Sequence, residues 1–144
     1  MKVFKPFKHK GVIDLKDMVI NDHVTHGDLS IFKIRKSDLP DDFETLEDID
    51  FGVLAEGEAH AHAHQLFYNV VERPAFEVIE GAKSKAKFTL KRVKDGHMYL
   101  KVENEPLLLK HQTHNPFRIY PGFYDVDFQV EEDHVSETLR RIAD

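Results

Sequence analysis

The chain of 144 residues contains no cysteine. That excludes a disulfide framework, thiolate-bound zinc, iron–sulfur clusters and thiol catalysis. No run approaches the ~18–20 apolar residues that a membrane-spanning helix needs. The lysine-rich start, MKVFKPFKHK, lacks the apolar core of a secretory signal. There is no Gly-rich phosphate loop of the Walker type and no Gly-x-Ser-x-Gly elbow, and none of the four serines sits in a nucleophile context. Residues 38–58 hold nine acids and no Lys or Arg, the pattern of a solvated loop. The net charge of −6 argues against nucleic acid or an anionic membrane as a partner of the whole surface. A lysine-rich stretch at 83–94 carries the clustered charge that phosphates attract, but few interleaved aromatics for base stacking. It reads as a solvated face. A cytoplasmic protein is the default expectation.

What is abundant is histidine, with ten residues. The length suits a single domain spanning 1–144, with 1–26 as an N-terminal extension or edge strand and 27–144 as the core. Strand patterns cover 12–20 and 29–34, separated by a turn at His26-Gly27-Asp28. Pro40 and the acids after it suggest a short helix ending near Asp48. Further strands are expected at 49–55, 60–71, 76–79, 85–93, 97–103, 107–111 and 123–130. Asp95-Gly96 signals a tight hairpin, and Tyr120-Pro121-Gly122 a type II turn. Val135, Leu139 and Ile142 share one face of a short C-terminal helix. The fold class predicted is mostly β: a compact antiparallel barrel or sandwich with one or two peripheral helices.

Two histidine groups carry the chemistry. In the segment from Gly57 to His64, alternation puts His60, His62 and His64 on one face of a strand. Residues two apart are ~6.6 Å apart and residues four apart ~13 Å, so one of the three is a bystander to any shared ion. The second group is His111-Gln112-Thr113-His114. Together the two groups, with His111 and His114 in the second, offer three or four nitrogen ligands to one metal. All-nitrogen ligation suits Zn, Fe, Ni or Mn. Glu58 is a candidate general base or ligand only if a bend at Gly57 or a neighbouring strand brings it in. His9, His23, His26, His97 and His134 are isolated and read as surface residues.

The chain from about Gly27 onward resembles a group of short, uncharacterised phage and bacterial proteins. Their pattern has an early Gly-Asp, then Gly-Glu-Ala-Thr-Gly-His-x-His, Leu-x-His-x-x-His-x-Pro and Pro-x-Gly-x-Tyr-x-Val-x-x-Gln, with a closing Arg-x-x-Asp-like end. Here these stand as Gly27-Asp28, Gly57-Glu58-Ala59, His62 and His64, Leu109, His111 and His114, and Pro121-Gly122 with Tyr124, Val126 and Gln129, followed by a tail from Arg140 to Asp144. His60 and Ala61 replace Thr-Gly, Gln65 replaces a basic residue, and the proline shifts to Pro116. The resemblance implies that His62 and His64 are the ligating pair, and it supplies no reaction. A cupin site fits less well, since no Glu follows the His pair at the required spacing. The expectation is a small soluble β domain with a histidine-built metal or small-ligand site and no assigned activity. The alternative is a structural or assembly protein, virion-associated if of phage origin, that self-associates and uses its histidines to pack an interface.

Overall fold

The computed structural model describes residues 2–3, 7–9, 11–50, 52–57, 62–77, 84–93 and 97–128. The chain opens with β1 (Lys2–Val3), β2 (Phe7–His9) and β3 (Val12–Asp14). β4 (Asp22–His26) and β5 (Leu29–Ile34) form a hairpin. Two 3-10 turns, Lys36–Asp38 and Phe43–Thr45, lead to β6 (Glu47–Asp48), β7 (Val53–Gly57) and β8 (His62–Tyr68). Next come β9 (Lys87–Arg92), β10 (Met98–Glu103), β11 (Leu107–Lys110), β12 (Phe117–Ile119) and β13 (Gly122–Phe128).

These strands make two sheets. One has the order β1-β4-β5-β13-β10-β9-β6, the other β2-β3-β12-β11-β8-β7. Pairing is antiparallel except for β1 with β4 and β3 with β12. Neither sheet closes on itself, so of the two architectures expected, the fold is a sandwich. Strict alternation builds it. Met98, Leu100 and Val102 of β10 are buried while Tyr99, Lys101 and Glu103 are not. Leu107 and Leu109, Phe117 and Ile119, Leu29 and Ile31, and Tyr124 and Val126 repeat the pattern. All of them meet in one core cluster drawn from both sheets. Full burial of each such aliphatic side chain stabilises by roughly 1.5–3 kcal/mol.

Some expected elements differ. The strand at 12–20 stops at Asp14, because its carboxylate accepts the Lys16 N–H at 2.8 Å and turns the chain. Leu15 and Met18 then plug the core. The acidic helix near 40–48 is a single 3-10 turn, Phe43–Thr45, instead; it follows a turn in which the Phe43 N–H reaches the Pro40 carbonyl. The strand at 49–55 begins only at Val53. Of the strand expected at 76–79, Phe76 and Glu77 lie in a turn and bend that follow an isolated bridge between Phe67 and Pro74, and 78–79 lie outside the described residues. Gly122 has φ +155° and pairs with Val102 as the first residue of β13. A type II turn would need φ near +80° there. The Asp95-Gly96 turn and the C-terminal helix lie outside the described residues.

Candidate metal centre

The site forms where three chain segments meet at one end of the sandwich. β4 alternates inward at Asp22, Val24 and His26, so His26 takes a core position at the strand's last residue, only 1% exposed. Its ring packs on Phe117, with centroids 4.4 Å apart. The hairpin then closes through Gly27 and Asp28 between the paired His26 and Leu29. Gly27 has φ +62°, which suits the first position of a II′ turn. It is also a contact point. A Cβ there would lie 2.7 Å from His114 Nε2 and 3.2 Å from His64 Cε1. From the other sheet, β8 turns His64 and Leu66 inward, and His64 is 3% exposed. β11 pairs with β8 through Lys110 and Gln65, so the next residue, His111, emerges beside His64. The chain curls through His114 before β12 begins.

Four imidazoles therefore converge from both sheets. Ring centroids are 4.9 Å apart for His26 and His64, and 4.3 Å for His64 and His111. They are 4.8 Å apart for His111 and His114, and 5.7 Å for His26 and His114. The two remaining separations are both 6.3 Å. His26 Nδ1 and His64 Nδ1 lie 2.8 Å apart. His26 Nε2 lies 2.9 Å from the Asn115 carbonyl oxygen, and His64 Nε2 lies 3.2 Å from Asp28 Oδ1. His111 Nδ1 accepts the Thr113 N–H at 3.1 Å.

Burial pushes His26 down to about 4. The Asn115 carbonyl opposes that shift, while the neighbouring imidazoles add to it. At neutral pH His26 is thus an uncharged imidazole, the form that ligates metals. The hydrogen bond from His64 holds the Asp28 carboxyl below its ordinary value, against a smaller opposing effect of burial. The Asp28 side chain itself is 65% exposed.

Of the ligands expected from sequence, His64, His111 and His114 are brought together. His62 lies in β8, but its side chain is outside the described residues, as are Glu58 and His60. His26 overturns its assignment to the surface. The available signal was the alternation of β4 read backward from the Gly27-Asp28 turn, which puts His26 on the face of Val24. Asp28 was also missed, as a partner of His64. His23 stacks on Phe32, and His97 sits 3.9 Å from Asp125. Lys91, read as part of a solvated face, is buried. It is paired with Asp48 at 2.9 Å and reaches the carbonyls of Glu44 and Leu46. Among the described residues, no three donors already stand in coordinating position. A groove of about 480 Å³ lies further along β8, at Tyr68 and Phe88, and contains none of the four histidines.

Fold and cluster together define an all-β, two-sheet protein with a histidine-rich end. A family model described as "Domain of unknown function (DUF8820)" matches residues 25–129, and the chain belongs to that family. The matched segment holds His26, Gly27, Asp28, His64, His111 and His114, and begins within β4. No curated protein and no solved structure matches the chain.

Proposed function

We propose that this chain is a metal-binding protein whose histidines gather one divalent transition ion (Zn, Fe, Ni or Mn) at one end of the sandwich. His26 joins His62, His64, His111 and His114 as candidate ligands, of which a tetrahedral ion takes at most four. The observation that carries this reading is the spacing of four imidazoles drawn from both sheets, 4.3–6.3 Å between centroids. A tetrahedral ion with metal–nitrogen distances of ~2.0–2.1 Å holds imidazole centroids roughly 5 Å apart. Small rotations of the side chains close the rings on the ion. Three nitrogens with an open position would activate a bound water, whereas four would make a closed structural centre. This reading assigns a site and leaves the reaction unassigned.

The test is metal content and uptake of the full chain, purified without chelators. The expected result is close to one ion per chain, released as the imidazoles protonate below roughly pH 5.5. His26→Ala and His64→Ala should each abolish uptake, and His114→Ala should weaken it. No metal after purification, and no uptake of Zn, Fe, Ni or Mn, would overturn the proposal and favour an assembly role in which the imidazoles only pack.

A further inference from the structure

The contacts of His26 and His64 fix where their protons sit. His26 Nε2 faces the Asn115 carbonyl oxygen at 2.9 Å. A carbonyl only accepts, so this nitrogen carries the hydrogen and donates it. His64 Nε2 faces Asp28 Oδ1 at 3.2 Å, and a carboxylate also only accepts, so the same holds there. In two neutral rings this leaves lone pairs on both Nδ1 atoms. Those atoms are 2.8 Å apart. Two lone pairs at that separation repel, and the contact becomes favourable when a cation lies between them.

We infer that His26 and His64 present Nδ1, not Nε2, to the ion, and that Asp28 is the positioning carboxylate that holds His64 in this tautomer. The inference rests on the metal reading above. The Asn115 carbonyl does for His26 what Asp28 does for His64. A ligating imidazole that donates its other N–H to a carboxylate or carbonyl has its ring orientation fixed, and its basicity toward the metal is raised. A tetrahedral ion at ~2.0–2.1 Å from each nitrogen sets them roughly 3.3 Å apart, so the rings part by about half an ångström on binding. Gly27 leaves room for this. The hairpin that positions His26 also carries Asp28, so one two-residue turn serves both rings.

The experiment uses the ¹⁵N-labelled full chain with Zn(II) as the only added metal. Long-range ¹H–¹⁵N correlation spectra of the histidine rings should show Nε2–H and zinc-bound Nδ1 for both His26 and His64. Chelator competition should show Asp28→Ala weakening zinc roughly 10–100-fold. Asp28→Asn, whose Oδ1 still accepts, should lose less. The Asp28 side chain is mostly exposed, so the zinc-free variants should melt with the wild type. Zinc bound through Nε2 of either ring overturns the inference. So does zinc affinity in Asp28→Ala within twofold of wild type. If the wild-type chain takes up no zinc, this inference falls, and if it also refuses Fe, Ni and Mn the metal reading falls with it. Normal uptake with an indifferent Asp28→Ala removes this inference alone.

Discussion

Gly27 is where single-residue chemistry constrains the site most. Its positive φ disfavours any other residue by roughly 1–2 kcal/mol, and the His114 ring occupies the space a Cβ would need. Gly27→Ala should therefore lower unfolding stability by at least that amount in urea titration and also weaken metal uptake. Wild-type stability and uptake in this variant would show that the turn relaxes freely. Asp14 offers a pH-dependent case. Burial raises its pKa, but the Lys16 N–H, Arg118 and the Tyr120 hydroxyl outweigh that and hold it below the ordinary value. A carboxyl depressed in the folded state stabilises the fold above its unfolded pKa of ~3.9 and loses that contribution as pH falls through the folded value. Asp14→Asn should thus be less stable than wild type at pH 6, with the gap closing as pH drops below about 4. A gap that stays constant down to pH 2.5 would mean that the network does not stabilise the ionised form.

At the level of elements, the acidic segment is held to the sheet by one buried cation. Lys91 is 5% exposed and binds the Asp48 carboxylate and two carbonyls of the preceding turn. Its Nζ also lies over the Phe43 ring, 5.9 Å from the centroid. The Asp48 carboxylate is 57% exposed and stays solvated without its partner, so the cost of removing Lys91 falls on the two part-buried carbonyls, which lose their donor. Lys91→Ala should release β6, so amides at 47 and 48 should exchange faster in hydrogen–deuterium exchange while those of β10 stay protected. Unchanged protection of β6 would place its stability in backbone pairing with β9 alone. The core strands behave differently: their hold is apolar and spread over both sheets.

For the whole molecule, the proposed ion would join the two sheets at one end, since His26 belongs to one and His64, His111 and His114 to the other. A ligand that binds only the folded state stabilises it by about 2.7 kcal/mol at 100 times its Kd. Saturating zinc should therefore raise Tm by several degrees, EDTA should reverse the shift, and His64→Ala should show none. A Tm indifferent to zinc, despite measured uptake, would mean that the unfolded chain binds the ion as well as the folded one, so that no site built by the fold holds it. The chain also has no helix, among the described residues, long and apolar enough to cross a membrane.

Some of this is determined by local sequence, and for a physical reason. Side-chain period in a strand is two, so an alternating run such as 98–103 announces its own buried face. The strand at 29–34 is legible to the residue, and so is the β-rich class. Short connections with few constraints were less legible: Asp14 ends its strand through a side-chain bond that no periodicity shows. The pairing of sheets decided the rest. His64, His111 and His114 stood out because each has another histidine within two or three residues. His26 is 38 residues from His64 and looks isolated in the chain. Only the meeting of β4 with β8 and the 111–116 connection brings its Nδ1 against that of His64 and turns Asp28 toward the same ring. Proximity across two sheets is set by strand order and register, which depend on the whole core rather than on any local run.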